Sequence, residues 1–163
     1  MNQFYTKTVN PSLKLIISLA LTLLVGFGAG LATADAINSW YSELEKPFFN
    51  PPSSVFAPVW TVLYILMGVS FYLVWKLPET ARRNIALFVF VLQLLFNGIW
   101  SIIFFKLHAI GLAFADIFIL WIMIIITMYH FTTLSKLAAW LLYPYFFWVS
   151  FAAVLNFSIW QLN

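Results

Sequence analysis

Long apolar stretches, separated by short polar connections, dominate this chain. Five of them are long enough to cross a hydrocarbon core of about 30 Å, which requires roughly 20 helical residues. Stretches such as IALFVFVLQLLF lack the strict apolar–polar alternation of a membrane β-strand. The pattern therefore predicts an all-α membrane protein, in which one domain over residues 1–163 contains a bundle of five transmembrane helices. The predicted spans are residues 13–34, 57–75, 85–105, 110–128 and 137–159.

The composition indicates the same class. Apolar residues make up 64% of the chain and charged residues only 8%, whereas soluble domains carry about 25% charged residues. Cysteine is absent, which excludes disulfides and thiolate ligands. The net charge of +3 comes from scattered residues and gives no basis for nucleic-acid binding.

Catalytic and metal-binding patterns are scarce. The sequence shows neither paired carboxylates nor a nucleophile with a base, so conventional hydrolysis or group transfer is not expected. His108 and His130 lie at predicted helix ends. Neither is therefore placed to ligate a haem iron in the middle of the membrane. We expect no metal site and no required cofactor.

Basic residues predict the orientation in the membrane. Six lie on the side of the N-terminus and the even-numbered loops: Lys7, Lys14, Lys76, Arg82, Arg83 and Lys136. Only Lys46 and Lys106 lie on the other side. The positive-inside rule then predicts a multi-pass protein with a cytoplasmic N-terminus and the first loop outside.

The first loop, residues 35–56, is too long and too stiff for a simple connector. Loops of this length are usually binding loops or lids. Three prolines restrict its backbone: Pro47, Pro51 and Pro52. Three phenylalanines are expected to form an apolar underside: Phe48, Phe49 and Phe56. We predict that this loop is structured and closes one end of a ligand cavity.

Polar and aromatic residues recur on one face of three predicted spans. These residues are Trp60 and Tyr64 in the second span, Gln93, Asn97 and Trp100 in the third, and Tyr145, Trp148 and Asn156 in the fifth. Unpaired amides are costly in hydrocarbon, so these faces should point into the bundle. Aromatic walls with a few polar groups suit a large, flat, mostly apolar ligand such as a tetrapyrrole, and a sterol fits the apolar part.

Simpler interpretations of these residues stay open. Gln93 and Asn97 could only join helices by hydrogen bonds. Four tryptophans near span ends could belong to the aromatic belts of the interfaces: Trp40, Trp75, Trp140 and Trp160. Trp121 has no polar neighbours on its face and is expected to be a core residue. Asp116 could make a structural hydrogen bond or act on a proton or ligand, and Pro144 is expected to kink the fifth span.

A small residue occupies every fourth position of the first span: Ser18, Thr22, Gly26, Gly30 and Ala34. This spacing places the small residues on one helical face and allows another helix to approach closely. The partner could be a helix of the same chain or of a second protomer.

The motifs along nearly the whole chain resemble the tryptophan-rich sensory protein/translocator protein family, also called peripheral-type benzodiazepine receptors. The first loop and second span contribute Trp40–Tyr41, Leu44, Lys46–Pro47, Pro51–Pro52, Ala57–Pro58–Val59–Trp60, Leu63–Tyr64 and Met67–Gly68. The third and fifth spans contribute Gln93, Asn97, Trp100, Phe104–Phe105, Pro144–Tyr145, Trp148, Phe151–Ala152, Leu155–Asn156 and Trp160.

The resemblance implies five transmembrane helices, a homodimer in the lipid bilayer, and a pocket beneath the first loop. The ligands it implies are protoporphyrin IX, haem, sterols and synthetic isoquinolines or benzodiazepines, bound near Tyr41, Trp60, Asn97 and Trp148. Porphyrin sensing, sequestration or transport is the implied function. Light- and oxygen-dependent porphyrin degradation, supported by Trp60 and Trp148, is one alternative. Binding or transport of a sterol or another apolar small molecule is the other.

The C-terminal segment departs from the sterol-recognition pattern of animal members. That pattern requires Leu or Val, then Tyr, then Lys or Arg. Here the segment reads AVLNFSIWQLN, with Phe157 and Gln161 and no basic residue. Sterol binding through this motif is therefore not expected.

Overall fold

The computed structural model describes residues 10–163. Five helices in this part of the chain are long and apolar enough to cross a membrane, which confirms the predicted fold class. The helices are α1 (Pro11–Ile37), α2 (Trp40–Glu43), α3 (Phe56–Trp75), α4 (Ala81–Ser101), α5 (Ile110–Thr132), α6 (Lys136–Trp140) and α7 (Tyr143–Leu162). A 3-10 turn, Ser53–Val55, precedes α3, and a π-helical segment, Ile102–Lys106, continues α4.

The helices extend beyond the predicted spans because caps, rather than hydropathy, determine where a helix ends. α1 begins at Pro11, and the Asn10 side chain accepts a hydrogen bond from the Ser12 amide at 2.9 Å. Thr80 caps α4 by accepting a hydrogen bond from the Arg83 amide at 3.1 Å. The third span consequently begins four residues earlier than predicted.

The five spans form a closed ring. Contacts join α1 to α3, α3 to α6 and α7, α7 to α5, α5 to α4, and α4 back to α1. The ring encloses the bulk of the core, which is built from apolar residues of α3, α4, α5, α6 and α7.

The connection between α1 and α3 is the lid, residues 38–55. It begins with the short helix α2, so it is structured, and α1 runs three residues further than the predicted span. Phe56, the first residue of α3, lies beside Trp148, which is near the middle of the fifth span, Lys136–Leu162. The lid therefore takes the place of α3 along the second half of the fifth span, where Phe49 packs against Phe151 with ring centroids 6.3 Å apart.

Small residues bring α1 and α3 into direct contact. The Thr22 hydroxyl donates a hydrogen bond to the carbonyl oxygen of Tyr64 at 2.8 Å. A Cβ added at Gly68 would lie 3.0 Å from the Cα of Leu19. Ser18 and Thr22 are fully buried, so this half of the small-residue face packs within the chain.

The fifth span is interrupted rather than kinked at Pro144. α6 ends at Trp140 and α7 begins at Tyr143, which places Pro144 in the first turn of a new helix. The missing N–H of proline removes no intrahelical hydrogen bond at that position. The predicted kink inside a continuous helix is therefore wrong.

Basic side chains hold one end of the bundle together. The Lys14 ammonium donates a hydrogen bond to the Trp75 carbonyl oxygen at 3.2 Å, so the start of α1 and the end of α3 share a side. The Arg83 guanidinium donates to the Leu77 carbonyl oxygen at 2.9 Å. Lys7 lies outside the described residues, and the cytoplasmic location of this end stays a prediction.

Candidate functional site

A cavity of about 710 Å³ lies between the lid half of α1, the start of α3, the end of α4 and residues 148–159 of α7. Side chains of the lid and the π-helical segment also line it. Single-turn π-helical segments occur often at functional sites, and here the segment contributes Phe104 and Phe105.

Seven of the nine predicted ligand-binding residues line this cavity: Tyr41, Trp60, Tyr64, Asn97, Trp100, Trp148 and Asn156. Gln93 and Tyr145 do not line it. Both are buried behind the cavity surface, where the Tyr145 hydroxyl donates a hydrogen bond to the Gln93 side-chain oxygen at 2.8 Å. Their predicted contact with a ligand therefore finds no support in the geometry, and they act as supports for the residues in front.

A chain of hydrogen bonds closes the inner end of the cavity. The Tyr64 hydroxyl donates to the side-chain oxygen of Asn97. The Asn97 amide nitrogen in turn donates to the Tyr145 hydroxyl at 3.2 Å, and this hydroxyl donates onward to Gln93. The chain links α3, α4 and α7, so it joins the helices and also fixes the polar groups that Tyr64 and Asn97 present to the cavity.

A second set of hydrogen bonds fixes the part of the wall that Trp100 forms. The Trp100 indole donates a hydrogen bond to the Asn156 side-chain oxygen at 3.0 Å. The Asn156 amide nitrogen donates to the Ile110 carbonyl oxygen at 3.0 Å. These hydrogen bonds fix the orientation of the Trp100 ring, which stacks on Phe104 at a centroid distance of 5.2 Å.

Trp148 differs from Trp100 because its polar atom is left without a partner. Its indole Nε1 is buried and has no hydrogen-bond partner among residues 10–163. A buried donor without an acceptor costs about 1–3 kcal/mol. The ring contacts Phe56 and Phe151, at centroid distances of 6.1 Å and 5.6 Å. A ligand acceptor beside this indole would remove the cost.

The wall formed by α1 was not predicted from the sequence. Residues from four turns of α1 line the cavity, among them Leu23, Phe27, Thr33 and Ile37. The available signal was the small-residue face, because Gly26, Gly30 and Ala34 also line the cavity. At Gly26 the missing side chain makes room for the Tyr64 ring, which a Cβ would overlap.

The lid is fastened by hydrogen bonds. The Tyr41 hydroxyl donates to the Asn50 side-chain oxygen at 2.8 Å. The Glu45 backbone makes two hydrogen bonds with the Asn163 side chain, both at 3.1 Å. Burial raises the pKa of Tyr41 to about 12, although its bond to Asn50 acts in the opposite direction. The phenol therefore keeps its proton, and the bond to Asn50, at neutral pH.

The lid reaches the cavity through fewer residues than predicted. Tyr41, Ser53 and the predicted lid residue Phe56 line the cavity. The other predicted lid residues do not: Pro47, Phe49, Pro51 and Pro52. The predicted apolar underside is wrong for Phe48, whose side chain is fully exposed, because neighbouring residues of a non-helical segment point in different directions.

The cavity is uncharged. None of its described lining residues carries a charge, and their polar groups are hydroxyls, amides and indoles. Asp116 is buried elsewhere in α5, and one of its carboxyl oxygens has no hydrogen-bond partner within residues 10–163. The same residues contain no group of three His, Cys, Asp or Glu side chains that could hold a metal ion.

Tryptophans outside the cavity have structural contacts. Trp40 stacks on His108 at a centroid distance of 4.1 Å. Trp75 lies beneath the Lys14 ammonium, at 5.7 Å. Trp121 was expected to lack polar neighbours, but its indole donates a hydrogen bond to the Ser150 hydroxyl at 2.8 Å. The partner comes from α7, not from the face of α5 that Trp121 shares, and the Trp121 ring packs against the core as predicted.

Comparison with known proteins identifies the family. The TspO/MBR family model matches residues 18–161. The tryptophan-rich protein TspO of Chlorobaculum tepidum is 42% identical over 155 residues, which cover 93% of this chain and 96% of the relative. The tryptophan-rich sensory protein of Cereibacter sphaeroides is 35% identical over 90% of this chain and 92% of its own length. The translocator protein of Ovis aries is 39% identical over 76% of this chain and 75% of its own. The chain belongs to the TspO/MBR family.

Proposed function

We propose that this member of the TspO/MBR family binds a tetrapyrrole, such as protoporphyrin IX or haem, in the cavity beneath the lid. The observation that carries the proposal is a cavity of about 710 Å³ with aromatic side chains on its walls. In this role the protein senses, sequesters or transports porphyrins within the bilayer. The names of two relatives, a sensory protein and a translocator protein, agree with such a role.

The size and chemistry of the cavity support a large planar ligand. Sites for small molecules measure about 300–1,000 Å³ and combine apolar walls with a few polar groups. Trp60, Trp100 and Trp148 supply flat faces on which a conjugated ring can stack. Tyr64 and Asn97 supply polar groups that would set the orientation of the ring.

The uncharged lining indicates how such a ligand would lie. An ionised carboxylate is costly in an apolar environment without a cationic partner, and no charged residue among those described lines the cavity. The ring of a porphyrin would therefore lie inside, with its two propionates directed to the exposed rim. An uncharged sterol or another apolar molecule would meet no such restriction and is the competing occupant.

Titration with protoporphyrin IX tests the proposal. Purified protein in nanodiscs should lose tryptophan emission in a saturable manner as the porphyrin is added. Ala152→Phe fills the cavity and should abolish saturation. Ala115→Phe makes the same change on the exposed surface of α5 and should bind like the parent protein. Equal quenching of all three proteins, or displacement by a sterol but not by haem, would contradict tetrapyrrole binding.

A second candidate function is light-dependent oxidation of bound porphyrin by dioxygen. It is favoured by the position of Trp60 and Trp148, two oxidisable indoles on the walls of one cavity. Illumination of the complex in air distinguishes the two functions. Degradation predicts a new product whose yield falls sharply in Trp148→Phe, whereas simple binding predicts that the porphyrin is recovered unchanged apart from bleaching equal to that in empty nanodiscs.

A further inference from the structure

We infer, building on the proposed function, that ligands reach the cavity sideways from the bilayer through an opening between α1 and α3. The rim of this lateral opening includes four small residues, Gly30 and Ala34 of α1 and Ala57 and Thr61 of α3. All four residues are exposed, and all four line the cavity. Leu23, Phe27 and Leu31 also meet both conditions, but their side chains are long enough to contact the cavity and the exterior at once. Glycine and alanine are too small to do so, so they mark where the wall is thin or open.

The opening starts where the contact between α1 and α3 ends. At Thr22 and Gly68 the two helices are in close contact, because the Thr22 hydroxyl donates to the Tyr64 carbonyl oxygen and Gly68 leaves no room for a Cβ beside Leu19. One turn further along α1, the space beside Gly26 is filled by the Tyr64 ring. Another turn further, a Cβ added at Gly30 would meet no described atom within 4 Å. The helices therefore diverge from Tyr64 towards the lid.

The opening lies at the depth of the hydrocarbon. Gly30 is seven residues from Ile37, the last residue of α1, which corresponds to about 10 Å along the helix. Phe27 and Leu31 line the cavity too, and they are 66% and 59% exposed, as expected of side chains in contact with lipid. A molecule dissolved in the acyl chains thus meets the opening without passing through water.

The lid, by contrast, is fastened on its other sides. Its contacts run to α7 through Glu45 and Asn163. They run to the segment after α4 through Trp40, which stacks on His108 at 4.1 Å. Passage beneath the lid would break these contacts, whereas passage between α1 and α3 breaks none of them.

The four small residues leave space in this part of the rim. None of the four has a side chain larger than that of threonine. Gly28 provides a matched position, because it is also exposed, meets no described atom within 4 Å of an added Cβ, and does not line the cavity. The same substitution at Gly30 and at Gly28 therefore distinguishes an effect at the rim from the effect of a bulky side chain elsewhere on the surface of α1.

Transfer kinetics test the inference. Protoporphyrin IX in phospholipid vesicles is mixed with protein in nanodiscs, and tryptophan quenching gives the association and dissociation rates and the equilibrium affinity. Gly30→Phe should slow association by about tenfold, which corresponds to about 1.4 kcal/mol on the barrier, and it should slow dissociation as well. Gly28→Phe should match the parent protein.

A cross-linked lid tests whether ligand entry requires the lid to move. The parent chain has no cysteine, so Glu45→Cys with Asn163→Cys places the only two thiols at neighbouring positions of the lid and α7. Joining them with a short thiol-reactive cross-linker should leave both rates unchanged. A slowed cross-linked protein together with an unaffected Gly30→Phe would overturn lateral access. A change confined to the dissociation rate of Gly30→Phe would also overturn it, because that result describes a contact residue. A parent protein that binds no porphyrin would overturn the proposed function and this inference together.

Discussion

The hydroxyl of Tyr64 donates a hydrogen bond to the side chain of Asn97, and this contact joins α3 to α4 at the inner end of the cavity. The Asn97 amide nitrogen also links α4 to α7, because it donates a hydrogen bond to the Tyr145 hydroxyl at 3.2 Å. Three spans thus meet at one buried asparagine. The same side chain faces the cavity, so binding and the cohesion of the bundle depend on one group.

Replacing Asn97 with leucine should weaken the bundle as well as ligand binding. The change leaves the buried Tyr64 hydroxyl without its acceptor, and an unpaired buried polar group costs about 1–3 kcal/mol. Thermal unfolding in detergent should show this loss. Adding Tyr64→Phe to Asn97→Leu removes the unpaired hydroxyl, so the double variant should lose less stability than the sum of the two single variants. Strictly additive losses would show that the two side chains do not interact.

Two tryptophans of the cavity should respond differently to the same substitution. Trp100→Phe leaves the Asn156 side-chain oxygen without its donor. Trp148→Phe removes a donor that has no partner among the described residues. Trp100→Phe should therefore destabilise the empty protein by about 1–3 kcal/mol more than Trp148→Phe. Comparable losses in unfolding experiments would mean that the Trp148 indole has a partner in the empty protein.

Glycine at position 26 should be required for the position of Tyr64. A Cβ at Gly26 overlaps the Tyr64 ring, and overpacking of this kind costs about 1–3 kcal/mol. Gly26→Ala should consequently lower the unfolding temperature. Gly28→Ala is the control, because its Cβ would meet open space, and it should be neutral or slightly stabilising. If both variants unfold at the parent temperature, the ring has another position available.

The lid should make the stability of the protein depend on pH in the alkaline range. Burial raises the pKa of Tyr41 from 10.0 to about 12, so the folded state holds the phenol proton more tightly than the unfolded state does. This stabilisation is fully present below the unfolded pKa and is lost as the pH rises from there through the folded pKa. Tyr41→Phe should reduce the loss of stability measured between about pH 9 and pH 12. Identical slopes for the parent and Tyr41→Phe would show that the phenol does not titrate with unfolding.

The five spans could be predicted from the sequence because the hydrocarbon core requires long apolar helices. Residues of the cavity could be predicted only in part. Helical periodicity places Gln93 and Asn97 on the same face of α4, yet both carboxamides cannot reach the cavity because Tyr145 of α7 packs over Gln93. Which of two residues on a face is covered depends on a neighbouring helix, and periodicity within one helix contains no information about that neighbour.

Segments with unusual backbone geometry were the hardest to predict. The lid has no helical or strand period between Leu44 and Pro52, so the sequence could not show that Phe48 points outward while Phe49 packs inward. The contribution of α1 was missed for another reason. The small residues at Gly26 and Gly30 were interpreted as a packing surface. The part of that face at Ser18 and Thr22 packs directly against α3, whereas a Cβ at Gly30 would meet open space.

Pigment content after purification tests the central claim, tetrapyrrole binding in the cavity, most directly. The parent protein, Ala152→Phe and Ala115→Phe are purified from cells that overproduce porphyrin, and absorption spectra give the amount of porphyrin per chain. The account predicts close to one porphyrin per chain in the parent and in Ala115→Phe, and almost none in Ala152→Phe. A parent protein that purifies without pigment, or equal pigment in all three proteins, would contradict it.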